Sequence, residues 1–452
     1  MRKALNFACA LCVCLAAACG AALGQIEKAG PSAPAGAEAA KSAGYSDMLE
    51  FSHEAADYRM PTDAEIEKLG PLWPKVPPDK NAAYYFARAT SLIAPYDKIP
   101  AGSMSGGEKG PYAGDVKAFD EWRRINERAF NTMKEGLRLD FCQLPVFIET
   151  KTQRPCVDPA LLTRVRHLAR TVADAGIQRE LHGESTAAMD CYLEDLRLGF
   201  LLRHHGGIVT NTVGISLNTI ALSRLDGLIV QGTLPATALR MILEQCRASE
   251  STADGLTDVW AQESALGKSL MESNKDIAVW KPFAAQVQAY YEAVGKVLAA
   301  RSLPELLQHK VMEEFYRNDL KGFDDTKESG FSFQRWVFDM GRSDLSLRVT
   351  EIRAAIEIHK QQHNGAIPET LDVLCPAILP SVPVDPFSGK AMRYAKADYG
   401  WKVWSVGKDN IDHGGTSVSS PEWLRRGDHW RGPDYVFVSN VESNLEWLNR
   451  RR

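Results

Sequence analysis

Most of the local patterns that mark a reaction are missing from this sequence. Beyond residue 19 it has no Cys-x-x-Cys pair and no Cys/His spacing of the kind that holds zinc. It has no phosphate-binding Gly-x-x-x-x-Gly-Lys-Ser/Thr loop. The Gly-rich stretch 102–114 follows no buried strand that would aim backbone amides at a phosphate, and it reads as a plain loop. A nucleophile elbow is absent too, because Gly214-Ile215-Ser216-Leu217-Asn218 fails at its last position and sits inside a helical pattern. His359 and His363 share a helix face, but Lys360 stands where a zinc protease carries glutamate. Nor is one sign of charge in excess. The 53 Lys and Arg against 57 Asp and Glu leave a net charge of −4, which argues against a nucleic-acid-binding surface and against a polybasic membrane contact. Residues 80–320 show almost no alternation of apolar and polar positions, so that region is expected to be helical.

What is present begins at the N-terminus. Arg2 and Lys3 precede an apolar run from Ala4 to Leu15, and small residues follow. This is the pattern of a secretory leader, too short to read as a spanning helix, and it implies export to the periplasm or cell envelope. Two processing sites compete. Ala22-Leu23-Gly24 before Gln25 suits ordinary cleavage of a 1–24 signal peptide. Leu15-Ala16-Ala17-Ala18-Cys19 resembles a lipobox, which would leave Cys19 lipidated and provide the one membrane attachment the sequence suggests. Of the nine cysteines, Cys9, Cys12, Cys14 and Cys19 fall in the leader. Among the rest, Cys142 and Cys156 flank a Pro-containing loop and are the favoured disulfide pair; the alternative is that all are buried thiols.

A chain of 452 residues is longer than one typical core accommodates. Residues 25–80 read as a flexible Ala/Gly/Pro/Ser tether followed by a Pro-rich extended segment. From 81 to 342 apolar residues recur at helical spacing, as in Phe119, Trp122, Ile125, Ala129 and Met133 of a helix expected over 115–140, which predicts an all-α domain. Gly176, Ala188 and Tyr192 stand in the small-small-large order of a tetratricopeptide-type helical hairpin. Residues 208–230 form a long apolar run, but Asn211, Asn218, Arg224 and Asp226 interrupt it, so it reads as a buried helix and not a membrane span. A domain boundary is expected near Ser343. Beyond it, 343–440 predicts a helix, a Pro-held crossing and short antiparallel strands, with 441–452 as a tail. The fold class is therefore α+β, a large helical domain followed by a small α+β unit.

The stretch from Val349 to Gly415 carries ordered turn signals: a helix ending AAIEIHKQQHNGAIPETLDVL, a turn LPSVPVDPFSGKAMRY, and a hairpin end WSVGKDNIDHGG. In that order they resemble the C-terminal domain of the type II secretion major pseudopilin, the G-type subunit. The likeness extends to a strand expected at Tyr435–Val438. A pseudopilin has a prepilin cleavage site and a long apolar fibre helix directly before this region, and neither precedes Val349 here. The resemblance therefore implies a pilin-like interaction module and not a fibre subunit. In the family the loop after the last hairpin binds calcium. The matching positions are Asp409, Asn410 and Asp412, with Asn410 replacing the usual glycine, and Asp428 and Asp434 lie downstream to close a site. The competing reading is a solvated turn capped by the Asx side chains.

The function expected is an exported, non-enzymatic envelope protein, with a helical scaffold and a pseudopilin-like module that engages another envelope or secretion-system protein. The alternatives are an envelope hydrolase with its site in the helical domain, or a helical-repeat peptide binder. Other chemistry-bearing residues have plainer roles available. His204 and His205 suit a helix C-terminus, Glu180, His182 and Glu184 suit an interhelical turn, and the late Trp401, Trp404, Trp423, Trp430 and Trp447 suit packing.

Overall fold

The computed structural model describes residues 48, 58–95, 116–150, 153, 155–273, 281–318, 333–397, 400–419, 424, 426, 430 and 432–441. The leader with Cys19, the tether, the loop 102–114, Trp423, Asp428, Trp447 and the tail from 442 lie outside the described residues. The chain has a mostly helical α+β fold, with two small antiparallel sheets of three strands each among the described residues. Among the described residues no helix is long and apolar enough to cross a membrane.

The Pro-rich segment is not extended. It holds strand β1 (Tyr58–Arg59) and helix α1 (Asp63–Leu69), then turns of 3-10 helix at Gly70–Leu72 and Pro78–Lys80. The local reasons are visible. Thr62 and Glu65 form a reciprocal capping box at the start of α1. Pro71 and Pro78 stand in the first turn of each 3-10 element, where a missing N–H costs nothing. Helix α2 (Ala82–Ser91) starts at Asn81, whose buried amide accepts from the N–H groups of Ala83 and Gln143 and donates to the Gln143 carbonyl at 2.7 Å. The helix expected over 115–140 is two, α3 (Val116–Ile125) and α4 (Glu127–Leu137). Asn126 marks the break; its side chain donates to the Trp122 carbonyl and accepts from the Ala94 N–H.

Strands β2 (Phe147–Glu149) and β3 (Pro155–Cys156) lie inside the region expected to be purely helical; β2 pairs with β1 on one side and with β3 on the other. Their register corrects the disulfide expectation. Cys156 lies opposite Phe147, while Cys142 is buried in the core beneath α2 and α4, and both are free thiols. Burial pushes both thiols up, Cys156 to about 12, so they stay protonated.

The centre of the molecule is a run of long helices: α5 (Pro159–Leu181), α6 (Ser185–Leu202), α7 (Ile208–Ile229), α8 (Ala236–Ala248) and α9 (Ala253–Ser273). Asp158 caps α5 ahead of Pro159. The α5–α6 hairpin closes where a Cβ on Gly176 would come within 2.3 Å of the Tyr192 ring. Helices α6 and α7 approach most closely at Gly199 and Gly214, where a Cβ on Gly214 would lie 2.6 Å from the Gly199 carbonyl. Gly214 and Asn218 therefore belong to a helix crossing. Helices α10 (Lys281–Ala300), α11 (Leu303–Leu306) and α12 (His309–Asn318) follow, and Trp260 packs on Tyr290, Phe333 and Trp336 beneath them.

Helix α13 runs without a break from Phe333 to Gln362. The boundary expected near Ser343 falls inside it. One apolar core spans the position, joining Tyr192, Leu225 and Ile242 of the central helices to Ile352 and Ile356 of α13 and to Leu374, Phe387, Val403 and Phe437 beyond it. Charged groups on α13 reach back into the helical body. Asp344 takes Arg203 at 3.2 Å, both fully buried, together with the Ser251 hydroxyl at 2.8 Å. Arg348 pairs with Glu250 at 2.9 Å, and Glu351 pairs with Arg247. Arg353 meets Asp226 of α7 at 3.3 Å and donates to the Val438 carbonyl at 2.9 Å.

The C-terminal unit follows the expected plan. Asn364 and Gly365, both at positive φ, terminate α13, and the Gly365 N–H returns to the Lys360 carbonyl at 2.7 Å. Strands β4 (Arg393–Ala397), β5 (Gly400–Ser405) and β6 (Tyr435–Val438) form an antiparallel sheet in that order, with Tyr394 opposite Val403 and Val403 opposite Phe437. The fully buried Asp385 closes the Asp-Pro turn onto β5. It accepts from the Phe387 N–H, the Ser388 and Ser405 hydroxyls and the Val406 N–H.

His167, buried on α5, titrates against folding. Burial, then the neighbouring Arg170, pull it from an ordinary value of 6.5 to about 4. Between those values the unfolded chain binds a proton that the folded chain refuses. Stability therefore rises with pH across that window and is lost as pH falls toward 4. Urea unfolding of wild type should lose roughly 3 kcal/mol more between pH 7 and pH 4 than unfolding of His167→Gln. Parallel pH slopes for the two proteins would exclude this role.

Candidate functional site

The loop after β5 holds the residues matched to a calcium turn. A 3-10 turn at Gly407–Asp409 leads into Asn410, which adopts the left-handed conformation at φ 60. Gly407 is required by contact as well as by φ, since a Cβ there would lie 2.5 Å from the Pro433 carbonyl. Asp409 accepts from the Ile411 N–H at 3.0 Å, and its second oxygen meets the His413 ring at 3.0 Å. Asp412 accepts from the Trp404 indole and the Gly414 N–H, both at 3.0 Å, and forms an ion pair with Arg393 at 2.6 Å. These contacts, the Trp404 hydrogen bond first, hold its carboxyl below the usual range. Asp434, fully buried, accepts from the N–H groups of His413, Gly415 and Thr416.

Each of these six carboxylate oxygens thus faces a donor, and a guanidinium sits where a hard cation would need a bare carboxylate. Among the described residues no group of three or more His, Cys, Asp or Glu side chains is gathered to hold a metal ion. As placed, Asp409, Asn410 and Asp412 do not fit a calcium cage. They make a hydrogen-bonded Asx turn that fixes the loop 410–418 on the sheet. That loop carries Ile411 and Val418, 58% and 71% exposed.

The histidine and carboxylate candidates elsewhere serve packing. His359 and His363 stack with ring centroids 3.9 Å apart, and the His363 Nδ1 lies 2.9 Å from the His359 carbonyl. His205, at φ 55, contacts Asp258 at 3.0 Å and fixes the end of α6 to α9. Glu263 caps the start of α7 by accepting the Ile208 N–H at 3.0 Å, and a Cβ on Gly207 would crowd that carboxylate at 2.9 Å. Glu180 accepts from Tyr192 and Gln231, His182 meets Asp120 at 2.7 Å, and Glu184 pairs with Arg179. Trp401 and Trp404 are buried, and Trp430 packs on Tyr435 and Phe437.

Sequence reasoning missed the acidic and basic residues of α13. The available signal was spacing. Asp344, Arg348 and Glu351 recur at i, i+4 and i+7, which puts them in one charged stripe flanked by Leu345, Leu347 and Ile352, and all but the half-buried Arg348 are buried. Comparison with protein-family models, curated proteins and solved structures found no match.

Thermal unfolding with calcium and with chelator distinguishes the two forms of the loop. The hydrogen-bonded turn requires coincident melting curves, and Asp412→Ala should lower stability by about 1–3 kcal/mol in either condition through its orphaned donors. A calcium-dependent rise in melting that Asp412→Ala abolishes would mean that the carboxylates regroup around the ion.

Proposed function

We propose that this is an exported, non-enzymatic envelope protein, in which the helical body carries a pseudopilin-like unit that engages another envelope or secretion-system protein. The carrying observation is the distribution of exposed aliphatic side chains. Of the large hydrophobic residues exposed among the described residues, Val373, Val384, Ile411 and Val418 belong to the C-terminal unit, against Met241 alone in the helical body. Ile411 and Val418 stand on either side of a loop centre, 414–416, that Asp412 and Asp434 hold. A loop already ordered loses little freedom on binding, which favours its use as a contact surface. The continuous α13 supports the same reading, because it fixes the unit's orientation on the helical body. Export follows from the leader pattern, and a tether at Cys19 would keep the protein at the membrane surface.

The test is cross-linking and capture from the native envelope with the full-length protein and with the Ile411→Ser/Val418→Ser double variant. Wild type should recover a defined envelope protein, and the variant should lose it by about tenfold or more while melting within a few degrees of wild type. Equal recovery by both proteins would remove the loop from the interface. Recovery of wild type alone, with no partner, would overturn the interaction role.

A further inference from the structure

The first half of α13, the short helices α11 and α12, and the turn after β5 line a half-open cavity of about 370 Å³. Its shape has a local cause. Gly341 has no side chain, and a Cβ there would meet Leu307 at 2.5 Å, so α11 rests directly on the α13 backbone. The floor is apolar, made by the buried Leu306, Met312 and Val337 and by the Phe338 ring. Around it stand three cations, Arg335, Arg342 and Lys408, and a single carboxylate, Asp339. Asp339 is already paired with Arg335 at 3.7 Å.

Of the other two, Arg342 shares the attraction of Asp339 with Arg335, and Lys408 has no paired carboxylate among the described residues. Arg342 lies 4.1 Å over the Trp430 ring, which holds its guanidinium in place, and its buried Nε makes no hydrogen bond. The Lys408 ammonium lies 5.6 Å from the Phe338 ring centroid. Neither forms an ion pair among the described residues. A guanidinium partly removed from water and lacking an acceptor is a costly arrangement that an incoming anion would relieve.

We propose that this cavity binds a monocarboxylate with an aliphatic body, its carboxylate between Arg342 and Lys408 and its chain over Leu306, Met312, Val337 and Phe338. The volume is at the small end of the roughly 300–1,000 Å³ of small-molecule pockets, which fits a short acyl chain and excludes a macromolecular occupant. A planar carboxylate matches the guanidinium fork, and the apolar floor rewards a hydrocarbon chain over a bare anion. The site stands apart from the loop of Ile411 and Val418 and does not depend on the interaction role proposed for it.

Calorimetric titration of the full-length protein with octanoate, 1-octanol and acetate tests the assignment. Octanoate should bind saturably, 1-octanol about tenfold or more weakly, and acetate without detectable saturation. Arg342→Gln and Lys408→Gln should each weaken octanoate by about tenfold and leave 1-octanol unchanged. Because Lys408 is exposed and in no ion pair among the described residues, Lys408→Gln keeps the test valid should loss of the Trp430 contact unfold Arg342→Gln. Absence of saturable octanoate binding, equal binding of octanoate and 1-octanol, or full affinity in the Lys408 variant would each overturn the proposal.

Discussion

The structure depends on how α13 is held. Its charged residues point into the protein, where Asp344, Arg348, Glu351 and Arg353 find partners on the loop and helices between Arg203 and Ser251. Buried ion pairs are poor sources of net stability, since desolvation offsets much of the attraction; removing one partner, however, leaves a buried charge and costs about 3–5 kcal/mol. Their use here is positional. A slip of α13 by one turn, about 5.4 Å, would separate all of these pairs at once, whereas apolar neighbours alone would tolerate several registers. Arg353 extends the constraint to the sheet, through the Val438 and Ser439 carbonyls and its position over Trp401.

Two surfaces inherit their geometry from that register. The first is the cavity beside Arg342, whose walls come from α11, α12, α13 and the turn at Lys408. The second is the loop bearing Ile411 and Val418, which hangs from β5 and β6 by the Asp412 and Asp434 hydrogen bonds. Both are set by the same rod, so the helical body and the small sheet act as one frame.

Much of the C-terminal unit is legible in the sequence because its determinants are local. Asn364-Gly365 is a left-handed cap wherever it follows a helix, and Asp385-Pro386 specifies a turn whose carboxylate needs nearby donors. Gly176, Ala188 and Tyr192 were readable for a similar reason, since only a missing side chain lets the ring lie against α5. The frame itself was not readable. Arg342, Ser343 and Asp344 look like a polar break until Arg203, 141 residues away in the chain, supplies the partner that permits burial. Prolines misled in the opposite direction: Pro71 and Pro78 signal extended chain by composition, yet each initiates a turn of helix. For the loop 407–415, residue types suited a cation, and only three-dimensional placement revealed that Arg393, Trp404 and backbone N–H groups occupy the oxygens.

If α13 locks the helical body and the sheet into one cooperative unit, their amides must open together. Native-state hydrogen exchange in rising urea, followed at β5 (Gly400–Ser405) and in the middle of α7, measures this directly. The account predicts that both sets converge on a single opening free energy. Exchange of the β5 amides through a lower-energy opening, with α7 still protected, would contradict it.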